Sequence, residues 1–274
     1  MSQPISAAVS GRSIGLQPRP NATACALAEA SELYFRDRRI ERPDDLAQSF
    51  ALRHQVYCEE MKFLDSANYH DALETDAYDE CSWHFGSFNM DGMIVGTVRL
   101  VEDRGGGLPM NAHCTLFPDE RERLRRLPNV MEISRLAVSP RYRRRKGDGS
   151  WGLPEQSAVI AAPLPPGAER RHPVFPTVVR LYRVMYHAMK TSGRIHLLAS
   201  METSLYRALR ALRFPFRQIG PLTDYYGPVM PFYMSVEDME VTLYENSRDI
   251  LEYFNHELEP CFKCPLIEEE GPSL

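Results

Sequence analysis

No apolar run in the 274 residues approaches the roughly 18 to 20 residues that a membrane span requires. The opening stretch, residues 1–20, also lacks the continuous apolar segment of roughly 7 to 15 residues found in secretion signals. Neither secretion nor a membrane anchor is therefore expected, and a cytoplasmic location is. Basic residues are not in excess: 32 Lys and Arg stand against 37 Asp and Glu, a net charge of -5. A nucleic-acid binder is usually basic, so no nucleic-acid partner is expected. The six cysteines (25, 58, 81, 114, 261 and 264) are scattered, which suits reduced thiols rather than a disulfide framework. Cys261 and Cys264 form a CxxC near His256, but a zinc site needs further ligands, and no second CxxC or HxxxH pair exists. No metal is expected. No internal repeat is present.

What remains is a chain with 43% hydrophobic residues, enough for one large core. Residues 1–30 are rich in Ser, Ala, Gly and Pro and read as a flexible segment. Residues 31–258 read as a single domain with a long Pro-, Gly- and Arg-rich insertion at 139–173, followed by a tail at 259–274 with loose order. A first strand is expected at Leu33-Tyr34-Phe35. A helix opens at Pro43 and runs to about Glu60, with Leu46, Phe50, Val56 and Tyr57 as its buried face. Strands are expected over 82–88, 93–101, 130–138, 194–200, 214–219 and 228–235, with a turn at Asn89 to Gly92. Helices are expected over 118–127, 174–191, 202–212 and 236–258. Hairpin-linked strands first, then strand-helix units, point to an α+β fold with a mixed central sheet.

Three charges fall in the two most apolar strands. Arg99 lies within Met93 to Val101, and Glu132 and Arg135 within Val130 to Val138. An unpaired charge is costly there, so each needs a counter-ion or a bound ligand. An acidic stretch upstream, Glu74, Asp76 and Asp79, offers counter-ions for Arg99 and Arg135. Such pairing would fold the stretch over the sheet and wall off a pocket. An internal ion-pair network that only ties the strands together would satisfy the same pattern. Strict alternation puts Glu132 and Ser134 on one face of their strand and Arg135 on the other. If Glu132 and Arg135 share a site, the strand must bulge between them.

Taken in order, Arg53-x-x-x-Tyr57, Glu74-x-Asp76-x-Tyr78-Asp79, Gly96-Thr97-x-Arg99-Leu100 and Glu132-Ile133-Ser134-Arg135 resemble the successive signatures of acyl-homoserine-lactone autoinducer synthases. The resemblance spans residues 53–138. Those synthases usually carry a Trp after the first motif, where Phe63 and Tyr69 are the nearest aromatics here. The insertion at 139–173 and the extended C-terminus look closer to N-acyl amino acid synthases and to the acyltransferases associated with the PEP-CTERM/exosortase system. The resemblance implies a GNAT acyltransferase fold, in which a central strand splays at a bulge and holds the pantetheine arm of an acyl donor. Leu136, Ala137 and Val138 would line that arm. Glu132 is the first candidate for the general base, with Asp76 second. Arg53, Tyr57, Asp79, Arg99, Ser134 and Arg135 are candidate substrate-binding residues, one arginine holding an amino acid carboxylate bidentately. The basic run Arg141, Arg143, Arg144, Arg145 and Lys146 would dock an acidic acyl carrier protein, and Arg121, Arg123, Arg125 and Arg126 add to it. No tightly bound cofactor is expected; acyl carrier protein or acyl-CoA thioester would be a co-substrate, and an amino acid the amine acceptor. A lactone synthase using S-adenosylmethionine, a CoA-dependent N-acetyltransferase and a non-catalytic lipid-binding module stay open as alternatives.

Overall fold

The computed structural model describes residues 21–69, 71–143 and 176–268, with side chains described from Ala28 to Ile267. Most of the expected insertion, with Arg144, Arg145 and Lys146, lies outside the described residues. The strands are β1 (Phe35–Arg39), β2 (Ser82–Asn89), β3 (Ile94–Glu102), β4 (Val130–Val138), β5 (His196–Met201), β6 (Arg217–Gln218), β7 (Thr223–Asp224) and β8 (Pro228–Ser235). The helices are α1 (Asn21–Tyr34), α2 (Pro43–His54), α3 (Pro109–His113), α4 (Pro118–Arg125), α5 (Thr177–Ser192), α6 (Thr203–Ala211), α7 (Val236–Asn246), α8 (Arg248–Asn255) and α9 (Pro265–Glu268). No helix among the described residues is long and apolar enough to cross a membrane.

The sheet runs in the order β1-β2-β3-β4-β5-β8-β6, and β7 pairs with β8. Every pairing is antiparallel except β4 with β5. Parallel neighbours need a crossover, and α5 lies within the one joining β4 to β5. The hairpin between β2 and β3 closes where expected: Gly92 has a φ of 77°, and Asn89 Oδ1 accepts from the amides of Asp91 and Met93.

Alternation along the central strands sorts the two faces. Val98, Leu100, Met131, Ile133, Leu197 and Ala199 join the large apolar core with Val179, Tyr182, Met185 and Met189 of α5 and Ile250, Leu251 and Phe254 of α8. Each of the larger aliphatic and aromatic burials here stabilises the fold by about 1.5–3 kcal/mol. The opposite face of β3 and β4 presents Thr97, Arg99, Glu132 and Ser134, and α2 packs over it.

That polar face explains a correction to the helix. The buried side of α2 is Asp45, Ser49, Leu52, Arg53 and His54, one step out of phase with the expected Leu46 and Phe50, which are half-buried. The sheet below offers polar partners: Ser49 Oγ meets Thr97 Oγ1 at 2.7 Å, and Arg38 donates to Asp45 at 2.9 Å. A polar stripe can be the inward stripe when each group is satisfied there. The helix continues past His54 as a π-helical turn, Gln55–Glu60, which widens the spiral.

Both ends of the domain differ from expectation. α1 starts at Asn21, inside the segment read as flexible, and buries Ala28 and Ser31. Strand β1 begins at Phe35, where Leu33 and Tyr34 still belong to that helix. The C-terminal segment is not loose through Ile267. Cys264 is fully buried, its amide donates to Asn255 Oδ1 at 2.6 Å, and Phe262, Leu266 and Ile267 pack on the core.

Candidate active site

The site grows from one irregularity in β4. Thr97 pairs with Ala137 and Arg99 with Ser134, so Arg135 and Leu136 face the single residue Val98. The extra residue is accommodated by Arg135, whose φ is 52°, in the left-handed region. This is the bulge that a shared site for Glu132 and Arg135 requires. It turns Arg135 onto the face that already carries Glu132 and Ser134. The same strand parts from its other neighbour: β4 pairs with β5 only over Val130 to Ile133, while Ser200 and Met201 of β5 stay paired with β8. Residues 134–138 thus form one wall of a fork between parted strands.

Over this face lies a closed ring of six charges. Arg53 Nε donates to Glu74 at 2.5 Å, and Arg135 Nε donates to the other oxygen of Glu74 at 3.0 Å. Arg135 Nη2 reaches Asp76 at 2.9 Å, and Asp76 receives Arg99 at 2.6 and 3.0 Å. Arg99 Nη1 also donates to Asp79 at 2.6 Å, and Asp79 receives Arg53 at 2.7 and 3.1 Å, which closes the circle. Three cations alternate with three anions drawn from α2, β3, β4 and the segment 74–79. Such buried ions are tolerable because each is paired and hydrogen-bonded. Ser134 Oγ takes the Nε of Arg99 at 3.0 Å, and the amides of Asp76 and Tyr78 take the remaining carboxylate lone pairs of Asp79 and Asp76. Burial raises the carboxyls of Asp76 and Asp79, but their guanidinium partners outweigh it and hold both below the usual carboxylate range.

Glu132 sits beside the ring and outside it. Its carboxylate is buried, and Oε2 accepts the Met110 amide at 2.7 Å, while Oε1 has no hydrogen-bond partner among the described residues. Burial pushes its pKa up to about 7, against the opposing Met110 amide and the charges of Arg99 and Arg135. The two base candidates therefore separate physically. Asp76 is held ionised between two arginines and binds a proton weakly, whereas Glu132 takes and releases one near neutrality.

The substrate-binding candidates also resolve. Arg53 and Arg99 are sealed within the ring, each with 1% of its side chain exposed, and every guanidinium nitrogen of both has a partner. Only Arg135 reaches toward solvent, at 13%, and its Nη1 carries no ion pair among the described residues. Nε and Nη2 of Arg135 are engaged in the ring, which leaves Nη1 as the nitrogen outside it. Tyr57, aimed by the π-helical turn, donates to the Leu136 carbonyl at 2.8 Å; burial pushes its phenol up to about 12. Ala137 is buried against Leu52 and Val56, and Val138 is half-buried at the end of the fork.

Several neighbours carried no signal in the sequence. Segment 108–117 crosses the fork. Met110 holds Glu132, Cys114 Sγ lies 3.4 Å from Ser200 Oγ of β5, and the Phe117 amide donates to the Ile219 carbonyl at 2.9 Å. Tyr225 lies against the Arg135 guanidinium, and His113 stacks on Tyr225 with centroids 4.1 Å apart and planes 9° apart. Phe63, the aromatic after the first motif, lies close enough to Gly227 that a Cβ there would meet its ring at 3.3 Å. A single His or Tyr without a spacing pattern gives the sequence reader nothing to align. Beyond the end of β4, Arg143 is shared between the Val138 carbonyl and Glu60, at 2.7 Å each. The arginines of α4 are largely offset: Glu120 pairs with Arg123 and Arg217, and Glu122 with Arg125 and Arg126. Glu32, His256 and Glu257 bring three metal-ligating atoms together, but Arg183 reaches into that group and pairs with Glu257 at 3.0 Å.

Residues 52–151 match the family model described as the acetyltransferase (GNAT) domain. No curated protein matches the sequence. Among solved structures, FeeM, an N-acyl amino acid synthase from uncultured soil microbes, is similar with a TM-score of 0.53 at 16% identity, covering 77% of this chain and 96% of that one. The acyl-homoserine-lactone synthase LasI gives 0.51 at 15% identity, covering 77% and 94%. The CoA-dependent acyl-homoserine lactone synthase BjaI, solved with S-adenosylmethionine and isopentyl-CoA, gives 0.53 at 18% identity, covering 77% and 89%. The chain thus has the GNAT fold shared by these enzymes, with the match to the acetyltransferase domain lying in residues 52–151.

Proposed function

We propose that the protein is an N-acyltransferase that moves a fatty acyl group from an acyl carrier protein thioester to the amine of an amino acid. One observation carries this reading: a buried carboxylate, Glu132, titrating near neutrality with one oxygen unengaged, beside a fork of parted strands. The fork suits a pantetheine arm, because an arm bearing amides can lie along residues 134–138 as an added strand. Leu136, Ala137 and Val138 would form its wall.

The chemistry needs few parts. The amine nitrogen attacks the thioester carbonyl, the new C–N bond forms, and the C–S bond breaks to release the pantetheine thiol. Glu132 takes the proton that the amine must lose, directly or through a water, and the leaving sulfur takes one. Backbone amides at the bulge are suited to stabilise the oxyanion of the tetrahedral intermediate. Asp76 and Asp79 keep the arginines in place. Arg141, Arg143, Arg144, Arg145 and Lys146 follow directly on the donor wall, where an acidic carrier protein would be steered. The amino acid acceptor and carrier-protein donor agree with the order of the motifs, as does a place among the acyltransferases of the PEP-CTERM/exosortase system. Reduced cysteines and the lack of a spanning helix among the described residues agree with a cytoplasmic enzyme.

The second reading is a lactone-forming synthase using S-adenosylmethionine, favoured by the likeness to LasI and BjaI. Mass spectrometry of lipid extracts from a host expressing the protein, beside a Glu132→Gln control, separates the two. N-acyl amino acids absent from the control are the expected result. Homoserine lactones with methylthioadenosine would replace the acceptor but keep the fold and base. Equal product from the control would remove Glu132 as the base.

A further inference from the structure

We propose that Tyr225 and His113, together with Nη1 of Arg135, form the corner that recognises the carboxylate of an α-amino-acid acceptor. The assignment rests on the acyltransfer reading above and assigns the acceptor side of that site to named residues.

Every guanidinium nitrogen of Arg53 and Arg99 is engaged inside the ring, so the ring offers one outward cationic edge, at Arg135. The ring as a whole balances three positive against three negative charges, and Nη1 of Arg135 is the nitrogen left outside its ion pairs, at the rim. The Tyr225 phenol lies against that edge and adds a hydroxyl. It stays protonated in use, since burial pushes its pKa up to about 12 with the Arg135 charge opposing and the Glu132 charge reinforcing. His113, at the end of α3, stacks flat on the ring of Tyr225 and fixes its plane; His113 itself is exposed, so the stack stands at the mouth. Behind it, the start of the same short helix holds Glu132 through the Met110 amide. Two donor groups at the mouth, held by the His113 stack, and one base behind them match a ligand whose anion and amine are two bonds apart. An α-amino carboxylate has this form, whether in a free amino acid or in the amino acid end of S-adenosylmethionine. A simple amine or an acetyl acceptor on a protein lysine lacks the anion and leaves the corner unused.

The test is steady-state kinetics of the full-length enzyme with one acyl donor, comparing an accepted amino acid with its methyl ester, and separately with S-adenosylmethionine. The wild type should show a KM about tenfold lower for the free acid than for the ester, the size expected when a hydrogen bond to a charged group is lost. Tyr225→Phe should raise the KM for the acid about tenfold and that for the ester less than twofold, with the effect on KM rather than kcat. His113→Leu should follow in the same direction and more weakly. If the selective loss falls on S-adenosylmethionine instead of the free amino acid, the corner stands and serves that source. Equal handling of acid and ester, or equal loss for both in Tyr225→Phe, overturns the corner and leaves acyl transfer standing. No acylation of any amine by the wild type overturns acyl transfer and the corner together.

Discussion

Replacing Glu132 by Gln should stabilise the protein above neutral pH while it removes activity. The reasoning starts from a carboxyl whose ordinary value is 4.5 and which burial lifts to about 7. In the unfolded chain it ionises near its ordinary value, so between these limits the folded state binds more protons. The sign follows: the contribution of this group to stability is fully present below about pH 4.5 and is lost as pH rises through about 7. At about 1.36 kcal/mol per pH unit, the gap corresponds to about 3 kcal/mol that the ionised carboxylate costs the fold at alkaline pH. Gln keeps an oxygen to accept the Met110 amide and never ionises. The variant should therefore gain up to about 3 kcal/mol over wild type at pH 8, or roughly 6–12 °C in Tm for a domain of this size. The gain should shrink to near zero at pH 4.5. Turnover should fall by about 10²–10⁴ above pH 7, as for loss of a general base, and by less as pH falls and the wild-type carboxyl takes up its proton. Thermal melts and denaturant titrations of both proteins from pH 4.5 to 8.5 measure the difference. A stability difference that does not change with pH would show that Glu132 is not a buried neutral acid, and the case for it as the base would go with it.

Two further outcomes test the scaffold. Asp79→Asn leaves Arg53 and Arg99 short of a counter-charge in a buried ring and should cost about 3–5 kcal/mol in denaturant titration. Wild-type stability held by Asp79 is present above the ordinary carboxylate range and lost as pH falls through its depressed value, so the variant should lose less stability than wild type on acidification; a parallel acid limb would refute the ring as a source of stability. Gly220→Ala places a methyl group onto the Thr115 carbonyl, which must shift segment 108–117 away from the end of the sheet. The expected cost is about 1–3 kcal/mol with a reduced kcat, since the same segment positions Glu132, and wild-type melting and turnover would contradict it.

The central strands were legible because the physics that makes them is local, whereas β1 began two residues later than expected and the strand expected over 214–219 is only Arg217–Gln218. Val130 to Val138 and Pro228 to Ser235 show β-rich apolar runs bounded by breakers, and their ends fall where those breakers are. The ring was legible in part, since charges in apolar strands demand counter-ions and an acidic stretch lay upstream. The bulge followed from parity on the condition that Glu132 and Arg135 share a site. The phase of α2 was hidden because its buried stripe is polar, and apolar periodicity misreads a stripe of Asp45, Ser49 and Arg53. Tyr225, His113 and Met110 were invisible for another reason. They enter the site through chain crossings over long sequence distances, and Met110 acts through its backbone, which every residue possesses.

A circle of six charges has no free end from which to unzip. A linear chain of ion pairs can fray from its last member, losing one contact at a time. Here each charge is gripped from both sides, so releasing any one of them breaks two contacts and leaves each of its two neighbours with a single counter-charge. Segment 74–79 is therefore either seated entirely or not at all, and the surface it completes over the fork exists as one cooperative unit.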